Sequence, residues 1–140
     1  MQSTYQTVIL SVPIAEVWNQ FKDFHAFPFS KSVITKIEKV GELKGDEPGA
    51  KRILNEAFHE TLVEYNPDEY RLSYSIDDGP SPVSKEEVGN YIGVIQLSES
   101  PEGKGTLVEW SSSWNANTEE AVNFCQSIYV ALLEELKNAF

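Results

Sequence analysis

The sequence predicts an α+β fold in which a curved antiparallel sheet of seven strands wraps around a long C-terminal helix. Three observations point there. An alternating run, TYQTVIL, opens the chain; short runs rich in β-branched and aromatic residues, separated by turn compositions, fill residues 33–114; and residues 115–140 switch to a helical repeat.

The alternating run is the first strand. After it, in SVPIAEVWNQF, Ser11 is in position to cap a helix and Pro13 to sit in its first turn. Ile14, Val17, Trp18 and Phe21 then recur at helical spacing. The aromatic piece FHAFPF, broken at Pro28, is expected to form a further brief turn of helix, so two short helices separate the first strand from the second. From Val33 to Trp114 the segments GELKGDEPG, NEA, YNPDEY, DDGPSPVSKEE and SPEGKG are turn or loop compositions, and they divide the chain into an antiparallel meander of about six strands. In the closing segment Asn117 and Glu120 have the spacing of a capping box. Phe124, Ile128, Leu132 and Leu136 then recur every four residues, and Ala121, Cys125, Tyr129, Leu133 and Phe140 widen the stripe. A helix of ~22 residues is ~33 Å long, enough to cover one face of such a sheet. Twist makes the sheet concave, so helix and sheet separate along part of their length and leave a cavity.

A chain of 140 residues with 41% hydrophobic and 24% charged residues has the size and composition of a single domain spanning residues 1–140, and no repeat or linker divides it. Eleven Lys and Arg against 22 Asp and Glu give a net charge of −11, which repels phosphate backbones and argues against nucleic acid as a partner. No apolar run approaches the ~20 residues of a membrane span, so stable membrane insertion is not expected. The single cysteine excludes an internal disulfide, and MQSTYQTVIL lacks the basic start and apolar stretch of a secretion signal, which predicts a cytoplasmic location.

Several local stretches bear a family resemblance in their order along the chain: VPIAEVWNQFKDF after the first strand, GAKRIL in the third, HETLVEYNPDEYRLSYSI through the fourth and fifth, GPSPV in the next loop, and NYIGVIQLSESPEGKGTLVEWSSSW through the last hairpin. Together they resemble the START-like, or SRPBCC, superfamily of birch-pollen-allergen-like helix-grip folds, and within it the polyketide cyclase/dehydrase and lipid-transport group. The resemblance covers essentially the whole chain. It implies a hydrophobic ligand cavity between sheet and helix.

The residues that face such a cavity follow from register and alternation. With NEA (55–57) as a hairpin turn, Leu54 opposes Phe58 and Arg52 opposes Glu60. The apolar pair marks the inner face, so Arg52 and Glu60 are expected in or at the mouth of the cavity. In relatives such as plant hormone receptors the position matching Glu60 points inward and organises ligand-bound water, and the resemblance implies the same placement here. Tyr74 with Ile76, and Tyr91 with Gly93, occupy the same face of their strands, and glycine inside a strand marks a bend or close approach. In LVEWSSSW, Val108, Trp110, Ser112 and Trp114 share a face; Ser112 between two large rings leaves space for ligand or water, with Trp110 as a wall and Trp114 as rim. Phe124, Ile128 and Leu132 face this sheet from the helix.

His25 and His59 have no ligand-spaced partners, so no metal is expected, and nothing calls for another cofactor. The serines of SSSW lie outside any GxSxG, and Cys125 reads as a small buried hydrophobe. The loop over residues 77–89 stands where a lid beside the cavity entrance is expected. The leading expectation is a module that binds a lipid, aromatic polyketide or isoprenoid-like molecule for sequestration, presentation or transport. A polyketide aromatase/cyclase or dehydratase using Arg52, Glu60, Tyr74 and Tyr91 as catalytic groups is the alternative. A protein-interaction module using the outer sheet is the third, its partner unknown.

Overall fold

Seven strands and two helices follow one another in the computed structural model of the protein, which describes residues 1–116 and 118–140. They are β1 (Gln2–Leu10), α1 (Ile14–Trp18), β2 (Ile37–Val40), β3 (Lys51–Leu54), β4 (Phe58–Asn66), β5 (Arg71–Asp78), β6 (Val88–Glu99), β7 (Thr106–Ala116) and α2 (Glu120–Asn138). The strands form one antiparallel sheet in the order β1-β7-β6-β5-β4-β3-β2. This is a six-strand meander whose last strand is joined by β1, with α2 in its concavity: the helix-grip arrangement.

Register shifts bend the sheet between His59 and Glu60, between Leu62 and Glu64, and between Gly89 and Ile92. Each inserts an unpaired residue and strengthens the local twist. At the third, Asn90 takes a positive φ of 53° beside Tyr91, whose ring stacks on Trp114 with centroids 5.1 Å apart. The β3–β4 turn is tight because Asn55 and Glu56 both adopt positive φ, and the Ala57 N–H donates to the Leu54 carbonyl at 2.9 Å. That turn sets the pairing Leu54 with Phe58 and Arg52 with Glu60.

α2 buries Ala121, Cys125, Tyr129, Leu132, Leu133 and Leu136, with Phe124 and Ile128 half-buried beside them. Phe140 does not extend the stripe: the helix ends at Asn138, and the Phe140 ring is exposed. Glu119 stands at the helix N-cap with no side-chain cap bond; Asn117, the expected capping residue, lies outside the described residues. No helix among the described residues is long and apolar enough to cross a membrane.

One short helix, not two, separates β1 from β2. FHAFPF forms turns with an isolated bridge between Asp23 and Ala26, because Pro28 lacks an N–H and pushes Phe27 towards extended backbone. Packing replaces helical hydrogen bonds there: Phe24, Phe27 and Phe29 are buried together with Phe21, and Phe21 meets Trp110 edge-on at 5.8 Å. Ser11 makes no cap at α1, whose N-cap position is Pro13.

The segment from Ser30 to Lys36 is strapped down at both ends. Glu135 on α2 accepts hydrogen bonds from the Ser30 hydroxyl and from the backbone N–H groups of Lys31, Ser32 and Val33. Asn55 accepts from the Thr35 and Lys36 N–H groups and donates to the Val33 carbonyl.

Candidate functional site

Cross-strand pairing sorts the inward side chains into rows. One row runs Arg52, Glu60, Ile76, Tyr91 over β3 to β6, with the exposed Lys39 of β2 at its outer edge. The next runs Leu62, Tyr74, Gly93, Ser112, Thr4 over β4, β5, β6, β7 and β1. Where α2 stands off these rows there is a cavity of about 210 Å³.

Leu54, Phe58, Ile76 and Trp110 line it from the sheet, and Phe124, Ile128 and Leu132 from the helix; of the expected residues, Arg52, Glu60, Tyr74 and Tyr91 bring polar side chains to it. Phe58 and Phe124 stack at 6.3 Å, bridging sheet and helix near the exposed Asn55. Two expected residues are not among the lining. A Cβ on Gly93 would stand 2.3 Å from Tyr74 Cζ, so the missing side chain seats the Tyr74 ring and not a ligand. Ser112 is buried and pairs with the Thr4 hydroxyl at 2.5 Å, so its hydroxyl is engaged by the neighbouring strand. Trp114 is buried against Tyr91 and donates to Gln2 at 2.8 Å, away from the lining.

The lining also includes Val33, Ile34, Asn55, Pro80, Cys125 and Tyr129, which the sequence reading does not select. Val33, Ile34, Asn55 and Pro80 come from connections, where no periodicity signals which way a side chain points. Cys125 and Tyr129 carried a signal: they stand four residues apart on the apolar stripe, opposite two inward tyrosines.

The Arg52–Glu60 pair is buried, with 1% and 5% of the side chains exposed. Arg52 Nε and Nη2 both donate to Glu60 Oε1, at 2.9 and 2.7 Å, and Nη1 donates to the Phe24 carbonyl at 2.9 Å. The guanidinium lies 3.8 Å from the Phe24 ring centroid and 4.4 Å from that of Phe27. Burial holds the Glu60 carboxyl above the usual carboxylate range, against the pull of Arg52.

Beside this pair, whose Arg52 guanidinium lies 5.7 Å from the Tyr74 ring centroid, hydroxyls are chained. Trp110 Nε1 donates to Tyr74 Oη at 2.9 Å; Tyr129 Oη lies 3.0 Å from Tyr74 Oη and 2.6 Å from Tyr91 Oη. Burial drives all three phenols well above their ordinary value of 10, and pushes the Cys125 thiol up as well.

Against this geometry, the family model described as polyketide cyclase/dehydrase and lipid transport matches residues 1–140. The chain belongs to this family. A solved structure of a protein from Nitrosospira multiformis is 38% identical, with a TM-score of 0.96, 99% of this chain and 96% of that one being covered. XoxI from Bacillus cereus is 28% identical, with a TM-score of 0.83 and coverage of 100% and 96%. A protein from Bacillus thuringiensis is 27% identical, with a TM-score of 0.79 and coverage of 99% and 98%. No curated protein matches the sequence. For the polyketide cyclase/dehydrase and lipid transport family the helix-grip fold implies binding of a hydrophobic ligand.

Proposed function

We propose that the protein binds an uncharged hydrophobic small molecule between α2 and the concave sheet, to sequester, present or transport it. The observation that carries this is the cavity itself, walled mostly by aliphatic and aromatic side chains with a few polar groups among them. Its titratable groups are committed to one another: Arg52 to Glu60, and Tyr74, Tyr91 and Tyr129 to a shared network with phenols far above neutral pH. That supports holding a ligand over turning one over.

A cyclase or dehydratase reading draws on one observation, the raised carboxyl of Glu60, since a carboxyl moved towards neutrality suits general acid–base work. In that reading Arg52, Tyr74 and Tyr91 stabilise the developing oxyanion. The loop over residues 77–89, with Pro80 in the lining, serves as a lid.

Native mass spectrometry of the protein purified from its host tests the binding reading. A co-purifying uncharged molecule is expected; a consistently empty protein that takes up no apolar dye overturns it. Turnover of a polyketone that vanishes in Glu60→Gln transfers the assignment to the enzyme. Hydrogen exchange in residues 77–89 is expected to slow on ligand addition, and unchanged exchange in a loaded protein removes the lid.

A further inference from the structure

The hydrogen bonds around the cavity have a direction. The Trp110 indole N–H can only donate, so Tyr74 Oη accepts it. The Tyr74 proton then goes to Tyr129, its other hydroxyl neighbour, and the Tyr129 proton goes to Tyr91. The chain ends on Tyr91, whose own proton has no further hydrogen-bond acceptor among the described residues. Chained hydroxyls polarise one another, so the last O–H is a strong donor. Both Tyr91 and Cys125 line the cavity.

Glu60 supplies a complementary group. Both Arg52 bonds fall on Glu60 Oε1, and no hydrogen bond reaches Oε2 among the described residues. Three of the five guanidinium N–H groups of Arg52 have acceptors, two rings cover its plane and Glu60 already balances its charge, so a ligand carboxylate beside this pair meets a charge of its own sign with no unpaired cation to offset it. Glu60 and Tyr91 lie in one cross-strand row with Ile76 between them. Two inter-strand steps put their Cα atoms roughly 10 Å apart. Pockets for drug-sized ligands run to ~300–1,000 Å³. At about 210 Å³ this cavity is smaller, which favours a ligand of one or two rings over a tetracyclic or diacyl molecule.

We propose that the cavity selects an uncharged ligand of one or two rings that offers a carbonyl oxygen to Tyr91 and a hydroxyl to Glu60, and that it rejects fatty acids. This rests on the binding reading above. Isothermal titration calorimetry with four probes tests it: a hydroxytetralone with ketone and hydroxyl at opposite ends, tetralone, tetrahydronaphthol, and decanoate. Hydroxytetralone is expected to bind about three- to tenfold more tightly than either single-function compound, the ratio one hydrogen bond supplies, with decanoate weakest. Tyr91→Phe is expected to lower hydroxytetralone affinity to that of tetrahydronaphthol and to leave tetrahydronaphthol unchanged. Equal affinities for the three uncharged compounds in the unaltered protein overturn the proposal, as does decanoate binding at least as well; both leave the binding reading standing. If no probe binds and the uncharged dye N-phenylnaphthylamine is not taken up either, both readings fall together.

Discussion

Arg52 and Glu60 are a case in which removing one residue is worse than removing two. A guanidinium in this site without its carboxylate, or the reverse, is an uncompensated buried charge, and losing one partner of such a pair costs about 3–5 kcal/mol. Glu60→Leu alone is therefore expected to lower stability by that amount, and Glu60→Leu with Arg52→Met to restore most of it, as read from urea midpoints. Gly93 acts through the absence of a side chain. The Tyr74 ring occupies the place of its Cβ, so Gly93→Ala is expected to destabilise the protein by about 1–3 kcal/mol, the range for overpacking a core, in the same measurement. Such a role is not readable from an isolated glycine in a strand, because which ring lies over it depends on cross-strand register.

Glu135 joins two elements: from α2 it gathers three consecutive backbone N–H groups and a hydroxyl of the segment that carries Val33 and Ile34 to the cavity. Burial raises its carboxyl, but these bonds outweigh burial and leave it below its ordinary value of 4.5. A depressed carboxyl stabilises the fold above its unfolded-state value, and that contribution is lost as pH falls through the folded one. Acidification below about 4.5 is thus expected to weaken the unaltered protein more steeply than Glu135→Gln, measured as thermal midpoint against pH. The pair of rings from Phe58 and Phe124 is an element-scale feature of another kind, a contact between sheet and helix near the mouth. Phe124→Ala is expected to raise ligand association and dissociation rates together in stopped-flow mixing; unchanged rates would place the mouth elsewhere. The strands were largely legible because alternation and turn residues agree, and the three-residue turn at Asn55 carried the register that pairs Arg52 with Glu60. The expected second helix was not, since four buried phenylalanines stabilise turns as well as a helix would.

Across the whole molecule, one long amphipathic stripe and one alternating meander made the sheet-around-helix architecture readable before any coordinates. The interior of the cavity was readable only in part. Period-2 alternation tells which side chains point inward, but bulges and the rotation of α2 decide which of them reach open space and which, like Ser112, end in a hydrogen bond to a neighbour. The buried tyrosines set a further expectation for the whole fold. A phenol raised above its unfolded value stabilises the native state below that value and loses the contribution as pH rises past it. Tyr74, Tyr91 and Tyr129 are therefore expected to withhold phenolate absorbance above pH 10 until the protein unfolds, and to ionise together in one cooperative alkaline transition. Gradual ionisation of all three while the fold persists would contradict it. Trp110 gives the molecule an optical handle of its own. Of the three tryptophans it is the one whose ring lines the cavity, while Trp18 lies against Tyr65 and Tyr70, and Trp114 against Tyr91. Occupancy therefore writes itself into the emission of a single indole, and a Trp18→Phe, Trp114→Phe variant is a label-free sensor for whatever the protein carries.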